Sequence, residues 1–250
     1  MPTLFVDIDN TLIYSHRHTI TNPKRVVEML NGKEQSYITQ FTYSYLTTEH
    51  GLTIVPVTTR TLPQYQRLKN LIQELACEYS LICNGAILLH NMIIDQDWYE
   101  ETLEIVENDI IEIAEAKSWL IRHCGEASTH TAFGLFVYAK TNDAENLAVA
   151  LQQHVNTDKV DIMCDHGKAY CIPKALNKGS AIKRFSKKYN VTVSIAAGDS
   201  EFDIPMLNHA DIAIVPQELR ERVKTTNTIE CTSGNLFSDE ICRIISVLDL

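Results

Sequence analysis

The sequence predicts an α/β protein in which helices flank a doubly wound parallel sheet, with an α+β domain inserted into the chain. Five short, continuous apolar runs have the composition of strands that are covered on both faces. They lie at 4–6, 51–57, 81–83, 191–197 and 211–215. Between 86 and 172 the pattern changes to that of a compact α+β domain. We therefore expect a core formed by 1–85 and 173–250, and a separate domain at 86–172.

The first apolar run ends in two carboxylates, those of Asp7 and Asp9. Two positions apart on an extended chain, their side chains share one face, where like charges repel unless a cation or a proton lies between them. In parallel sheets, ligands bind beyond the carboxyl ends of the strands. A strand that simply ends in an Asp-Asn turn is the alternative explanation. The pattern favours a magnesium site only if other strand ends bring suitable groups to the same edge.

Three further element ends carry such groups. Thr58 and Thr59 follow the second run, Lys178 opens a helix, and Asp199 and Asp203 follow the run at 191–197. Hydroxyls and an ammonium group can hold phosphate oxygens, and an aspartate is a nucleophile that needs no deprotonation. A strand terminator, a solvated helix start and an N-terminal helix acid would explain Thr58, Lys178 and Asp203 without a site. Taken together, the groups indicate phosphoryl transfer.

The remaining segments give weaker signals. The polar stretch 14–19 follows the first carboxylates, and we expect it to form a flap that touches the substrate. Apolar and aromatic spacing predicts helical turns within 33–50 and a closing helix at 235–248. In the inserted domain we expect a strand at 131–139 and a hairpin at 160–172.

The four motifs, taken in order, resemble those of the haloacid dehalogenase superfamily of aspartate-nucleophile phosphatases. The motifs are Asp7-Ile8-Asp9-Asn10-Thr11, the strand-end Thr58, Lys178-Gly179, and Gly198-Asp199-Ser200 with Asp203. Asn84-Gly85-Ala86 before the insert is similar to the branch that has a large α+β cap between the second and third motifs, which includes Cof-type and sucrose-phosphate phosphatases. This resemblance implies a Rossmann-like core, a cap domain at 86–172 and Mg²⁺ as cofactor.

The resemblance also implies catalytic roles. Asp7 would attack phosphorus and form an aspartyl-phosphate, and Asp9 would protonate the leaving oxygen and then activate water. Thr58 and Lys178 would hold the phosphoryl group. The strand-end hydroxyl of Thr59 is a further candidate for substrate binding, which the residues and not the resemblance suggest. Thr59 stands where relatives with this cap usually carry glycine, as does Asn10. These departures leave every reacting group in place but weaken any transfer of substrate identity.

The metal shell implied by the resemblance consists of oxygen ligands from four residues. Asp7 and Asp199 would bind Mg²⁺ through their carboxylates, and Asp9 through its backbone carbonyl. Asp203 would ligate through water or orient its neighbours.

The charge of the chain is concentrated on the insert. The segment 86–172 holds 15 Asp and Glu residues against 5 Lys and Arg, and the remainder of the chain holds 17 of each. A polyanionic substrate would meet repulsion there, so a monophosphate such as a sugar phosphate fits better. His166 and Lys168, in the predicted hairpin, are candidates for binding the leaving group, although turn residues without a role are about as common.

Composition excludes several other classes. The formal net charge is −10, and no Lys/Arg cluster offers a footprint for nucleic acid. No apolar run is long enough to span a membrane, and no export signal is visible, so we expect a cytoplasmic protein without membrane partners. The seven cysteines form no C-x-x-C pair, which favours reduced thiols.

Two alternatives to a phosphatase remain open at this stage. A phosphomutase would use the same groups but return the phosphoryl group to the sugar. A non-catalytic phosphate-binding protein would need none of the reacting groups. The oligomeric state is open.

Overall fold

The computed structural model describes residues 1–48, 51–165, 167–231 and 234–248. The strands and helices are named here in chain order. The strands are β1 (Thr3–Val6), β2 (Tyr14–Ser15), β3 (Lys24–Leu30), β4 (Lys33–Thr39), β5 (Thr53–Pro56), β6 (Tyr79–Ile82), β7 (Ile87–His90), β8 (Ile93–Ile94), β9 (Thr129–Ala132), β10 (Phe136–Lys140), β11 (Val160–Asp165), β12 (Lys168–Pro173), β13 (Ser194–Ala197), β14 (Ile212–Val215) and β15 (Thr228–Glu230). The α-helices are α1 (Gln40–Leu46), α2 (Leu62–Gln66), α3 (Lys69–Glu74), α4 (Gln96–Val106), α5 (Ile110–Cys124), α6 (Ala144–Gln152), α7 (Lys178–Tyr189), α8 (Ile204–His209) and α9 (Phe237–Ile245).

The chain divides into two compact units. The first unit comprises Met1–Asp95 and Asn177–Leu250, and the second comprises Gln96–Leu176. The first boundary falls ten residues after the predicted one, because β7 and β8 continue an antiparallel sheet that begins with β6. The roles of the two units as catalytic core and cap stay a prediction.

The first unit is built on a five-stranded parallel sheet. Its strand order is β15-β14-β13-β1-β5, so β1 lies between β13 and β5. All four residues of β1 are buried, as expected for a strand covered on both faces. The end of β1 at Val6 is in register with Pro56 on one side and Ala197 on the other. This arrangement confirms the predicted α/β class and brings three strand ends to one edge.

A β-hairpin replaces part of a predicted helix. Within 33–50, the first seven residues form β4, which pairs antiparallel with β3, and only α1 is helical; residues 49 and 50 lie outside the described residues. The turn between the two strands has positive φ at both Asn31 (52°) and Gly32 (73°). The predicted helical turns within 33–50 are confirmed as α1, but they were wrong for 33–39, where the preceding Asn-Gly pair, the strongest short-range hairpin signal, indicated a strand.

The second unit has a four-stranded antiparallel sheet in the order β11-β12-β10-β9. Helix α5 packs its buried Trp119 and Leu120 into one core with Val137 and Cys171 of the sheet. The predicted single strand at 131–139 is two strands, β9 and β10, joined by a tight turn. Phe133 and Gly134 both have positive φ in that turn, and the aromatic residue concealed the break in the strand pattern.

Candidate active site

The carboxyl end of β1 delivers Asp7 to the edge of the sheet. The backbone N–H of Asp7 donates to the carbonyl oxygen of Ala197 at 2.9 Å, and that of Val57 donates to Val6 at 2.8 Å. Thr58 therefore follows β5 at the same edge. Its side chain is buried, and its hydroxyl accepts a hydrogen bond from the backbone N–H of Arg60 at 3.2 Å. Parallel pairing alone brings these two predicted residues to one edge.

Three carboxylates converge there around one ammonium group. Carboxylate oxygens of Asp7, Asp199 and Asp203 lie within 4.8 Å of one another. The Lys178 ammonium is buried and donates to Asp7 Oδ1 at 2.5 Å and to Asp203 Oδ1 at 2.6 Å. Asp7 and Asp199 follow the ends of β1 and β13, Lys178 begins α7, and Asp203 caps α8. Residues separated by up to 196 positions thus form one cluster.

The electrostatics of the cluster are those of crowded, buried anions. Burial raises the pKa of Asp7 well above its usual value; the Lys178 charge lowers it, and the neighbouring carboxylates raise it further. Burial by itself would lower the pKa of Lys178, but the charges of Asp203 and Asp7 outweigh burial and raise it. Lys178 is therefore held as a cation.

Local sequence explains how Lys178 reaches the cluster. Asn177 caps α7, its side chain accepting from the Ser180 N–H, so Lys178 is the first helical residue. A Cβ on Gly179 would lie 2.3 Å from the carbonyl oxygen of Pro205. Only glycine allows this close approach of α7 to the start of α8, which explains the predicted Lys-Gly pair.

Asp203 shapes the loop that carries Asp199. Its Oδ2 accepts from the N–H groups of Asp199 (3.1 Å) and Ser200 (2.9 Å) and from the Ser200 hydroxyl (2.8 Å). A Cβ on Gly198 would lie 2.4 Å from Asp203 Cγ, so the loop requires glycine there. The Thr11 hydroxyl donates to Asp199 Oδ1 at 2.7 Å. Both contacts hold Asp199 in place, and one oxygen of Asp203 is committed to this orienting role.

Asp9 lies in a different environment from Asp7. Both oxygens of its carboxylate accept from Arg60, at 2.7 Å each. Arg60 in turn binds Glu28, a buried residue of β3. Sequence reasoning gave no role to Arg60, Glu28 or Thr11. Arg60 directly follows the two predicted hydroxyls, so its position was the available signal; Glu28 carried none.

The other predicted residues fall in different places. Thr59 is half-buried beside Thr58. Lys168 begins β12 in the second unit, where it is in register with Asp165 of β11. His166 lies outside the described residues. The site roles of all these residues stay predictions.

The donor set of the acidic cluster fits a divalent cation that prefers oxygen. Three carboxylates supply hard ligands, and a metal ion would offset the repulsion that raises the pKa of Asp7. Asp9 is not one of the three, and both oxygens of its carboxylate are engaged by Arg60. A metal role for its backbone carbonyl stays a prediction.

Comparison with known proteins gives a partial family match and a likeness of fold. Residues 123–236 match the model of the haloacid dehalogenase-like hydrolases. The sucrose-phosphatase of Synechocystis sp. PCC6803 is 17% identical with a TM-score of 0.63, and the match covers 98% of this chain and 96% of that one. The match to the family model and the likeness of fold both point to the haloacid dehalogenase superfamily. The resemblance and the hydrolase class predicted from its four motifs are thereby confirmed.

Two further solved structures share the haloacid dehalogenase fold. The subclass IIB sugar phosphatase BT4131 is 15% identical, with a TM-score of 0.62 and 98% coverage of both chains. A haloacid dehalogenase-like hydrolase from B. subtilis is 13% identical, with a TM-score of 0.59 and coverage of 99% of this chain and 100% of that one. No curated protein matches the chain. At these identities the likeness is one of fold.

Hydropathy adds one observation about the helices. In the described part of the chain, none of them combines the length and the apolar character needed to cross a membrane.

Proposed function

We propose that this protein is a magnesium-dependent phosphomonoesterase that acts on a small phosphorylated metabolite through an aspartyl-phosphate. The observation that carries the proposal is the cluster of Asp7, Asp199 and Asp203 around buried Lys178. A nucleophile, a phosphate-binding cation and oxygen ligands for a metal are the parts that phosphoryl transfer requires. The sugar phosphatase activity named for BT4131 is in line with this proposal.

The reaction proceeds in two displacements. A carboxylate oxygen of Asp7 forms a bond to phosphorus as the ester P–O bond breaks, and the leaving oxygen takes a proton from Asp9. Asp9, now a carboxylate, removes a proton from water, whose oxygen attacks phosphorus and releases inorganic phosphate and Asp7. Lys178 and the Thr58 hydroxyl hold the phosphoryl oxygens in both steps.

Mg²⁺ would be held by Asp7 and Asp199, with Asp203 orienting the loop that carries Asp199. When bound, it supplies positive charge that stabilises the charge developing on the transferring phosphoryl group. Lys178 remains the fixed cation of the site; one of its short hydrogen bonds holds the Asp7 carboxylate and the other holds that of Asp203.

Substrate selection is proposed to involve the second unit. That unit carries the acidic excess of the chain, and we propose that a neutral, hydroxyl-rich leaving group is favoured over a polyanion. Lys168 and His166 are the proposed contacts to that leaving group.

The test is release of inorganic phosphate from a panel of sugar, nucleotide and glycerate phosphates, with and without Mg²⁺. Asp7→Asn is expected to abolish turnover because an amide cannot attack phosphorus. Residual activity within about tenfold of wild type, a barrier change of about 1.4 kcal/mol, would contradict the nucleophile assignment.

Two controls accompany that assay. Far-UV circular dichroism checks that Asp7→Asn keeps the fold. Glu74→Gln is the matched control, since Glu74 forms an exposed ion pair with Arg25; it is expected to leave turnover unchanged. Isomerised sugar phosphate without accumulation of inorganic phosphate would identify a phosphomutase instead.

A further inference from the structure

Arg60 has all five of its N–H donors engaged. Nε and Nη2 donate to the two oxygens of Asp9, both at 2.7 Å. Nη2 and Nη1 donate to the two oxygens of Glu28 at 3.0 and 3.1 Å, and Nη1 also donates to the carbonyl oxygen of Gln64 at 3.3 Å. A guanidinium has five N–H bonds, so none is left for a phosphate oxygen. Arg60 therefore holds two carboxylates and does not bind the substrate in this arrangement.

Glu28 is the buried end of this network. Its carboxylate is 2% exposed and accepts two further hydrogen bonds, from Arg67 Nε at 2.6 Å and from the Ser36 hydroxyl at 2.7 Å. With the two bonds from Arg60, each oxygen of Glu28 has two donors. Such a group is fixed in position, because any rotation breaks several charge-assisted bonds inside the protein.

A β-bulge aims Glu28 inward. Val26 pairs with Tyr37 and Glu28 pairs with Ser36, so Val27 is an extra residue of β3 between two consecutive pairs. Bulges re-aim a side chain and are frequent next to active sites. The bulge therefore turns the Glu28 carboxylate towards the protein interior, whereas most other residues of β3 are exposed.

Asp9 is the exposed end of the same network. Its side chain is 46% exposed, against 10% for that of Arg60. An exposed carboxylate samples several rotamers unless a rigid partner holds it. The planar fork of Arg60 fixes both oxygens of Asp9, and Glu28 fixes the fork.

We propose that Glu28 is a positioning residue for Asp9, acting through Arg60. It holds the Arg60 fork and, through that fork, fixes the carboxylate of Asp9, whose proton passes to the leaving oxygen in the proposed reaction. This inference rests on the function proposed above, in which Asp9 gives that proton. It adds a residue of the hairpin, 19 positions away in the chain, to the apparatus of the reaction.

The experiment compares two substrates in Glu28→Gln. Proton donation matters most when the departing oxygen is basic, as in an alkyl phosphate, and least for p-nitrophenyl phosphate, whose leaving group is stable as an anion. In one orientation the amide nitrogen of glutamine would face N–H donors of Arg60 and Arg67, and in the other it would face Arg60 and the Ser36 hydroxyl. Either way an N–H group meets a donor of Arg60, which disturbs the fork. We expect kcat for the alkyl phosphate to fall about tenfold more than kcat for the aryl phosphate.

A double-mutant cycle with Asp9→Asn separates positioning from a structural role. If Glu28 acts through Asp9, Glu28→Gln has no selective effect once Asp9 is replaced. If Glu28 has a purely structural role, Glu28→Gln lowers kcat for both substrates by the same factor, and this loss adds to the loss caused by Asp9→Asn. Equal losses on both substrates, or losses in the double variant that add to those of Asp9→Asn, overturn the inference.

Arg67→Met keeps the inference testable if Glu28→Gln does not fold. Arg67 contacts Glu28 from a partly exposed position, 31% for its side chain, and has no hydrogen bond to Asp9 or Arg60 in the network described above. The expected result is a smaller loss, about threefold, confined to the alkyl phosphate. Equal loss on both substrates counts against the inference.

The outcome also distinguishes the inference from the proposed function. A wild-type protein that releases phosphate from neither substrate in Mg²⁺ overturns both. A wild-type protein that hydrolyses both, with variants that show no selectivity, overturns only the role of Glu28. Glu74→Gln, which removes an exposed carboxylate bound to Arg25, serves as the control and leaves both rates unchanged.

Discussion

Glu28→Gln has a second consequence, for the pH dependence of stability. Burial by itself would raise the pKa of Glu28, but the hydrogen bonds and charge of Arg60, with bonds from Ser36 and Arg67, outweigh burial. They lower the pKa from its ordinary value of 4.5 to about 2. A carboxylate whose pKa is depressed in the folded state stabilises that state above its unfolded pKa. The stabilisation is lost as the pH falls through the folded pKa.

The magnitude follows from the two pKa values. The difference between 4.5 and about 2 corresponds to about 3 kcal/mol of free energy of unfolding at neutral pH. About half of that contribution is expected to remain at pH 3, and little at pH 2. Since Glu28 is 2% exposed, solvent screening does not reduce the effect much.

The assay is urea unfolding followed by far-UV circular dichroism at pH 7, 5, 4 and 3, for wild type and Glu28→Gln. Urea is preferred because guanidinium would screen the ion pairs. The difference in free energy of unfolding between the two proteins is expected to shrink by about 2 kcal/mol between pH 7 and pH 3. Taking this difference cancels the titration of every other group that both proteins share.

A difference that stays constant over this range, or grows towards acid, would refute the reasoning, because it would mean that Glu28 has no depressed pKa. Glu74→Gln is the matched control. Its ion pair with Arg25 is exposed, with side chains 36% and 42% accessible, and surface pairs contribute less than about 1 kcal/mol.

Three further predictions concern the site and the fold. Lys178→Met leaves its two carboxylate partners buried and unpaired, so without divalent ions we expect a loss of about 3–5 kcal/mol in urea unfolding, and unchanged stability would contradict the buried ion pairs. Gly85→Ala is expected to cost about 2 kcal/mol or more, because φ is 87° and the new Cβ would lie 2.2 Å from that of Ala181. Gly51→Ala is the control, measured with Gly85→Ala in thermal melts: its φ is 70° but the space around it is open, so it should lose only the stability that backbone strain costs. Equal losses in the two variants would show that the close contact has no cost. Lys168→Ala is expected to raise KM for the best natural substrate and to spare p-nitrophenyl phosphate, which steady-state kinetics on both substrates would check.

The acidic strand ends could be predicted because their signal is local. The apolar run before Asp7 and the run before Asp199 each announce a buried strand, and each stops at a carboxylate. Parallel strands align their carboxyl ends, so a rule of topology was enough to expect the two residues at one edge. The start of α7 at Lys178 was equally local, set by the Asn177 cap.

The hairpin was within reach of the sequence but was missed. Tyr37 and Phe41 are spaced four apart, which suits a helix, and that spacing prevailed over the Asn-Gly pair at 31–32. The structure places Tyr37 on β4 and Phe41 on α1, because the strand ends at Thr39, which then caps the helix. A periodicity that crosses an element boundary carries no information about either element.

By itself, then, the sequence determined which residues stand at the strand ends, since apolar runs and caps act over a few neighbouring positions. Only the tertiary structure decided what each carboxylate touches. Asp7 faces Lys178, 171 positions away, whereas Asp9 faces Arg60 at 51 positions. Both residues have the same side chain and nearly the same place in the chain, but hydrogen bonds reach only about 3 Å, so the fold of distant segments sets their partners.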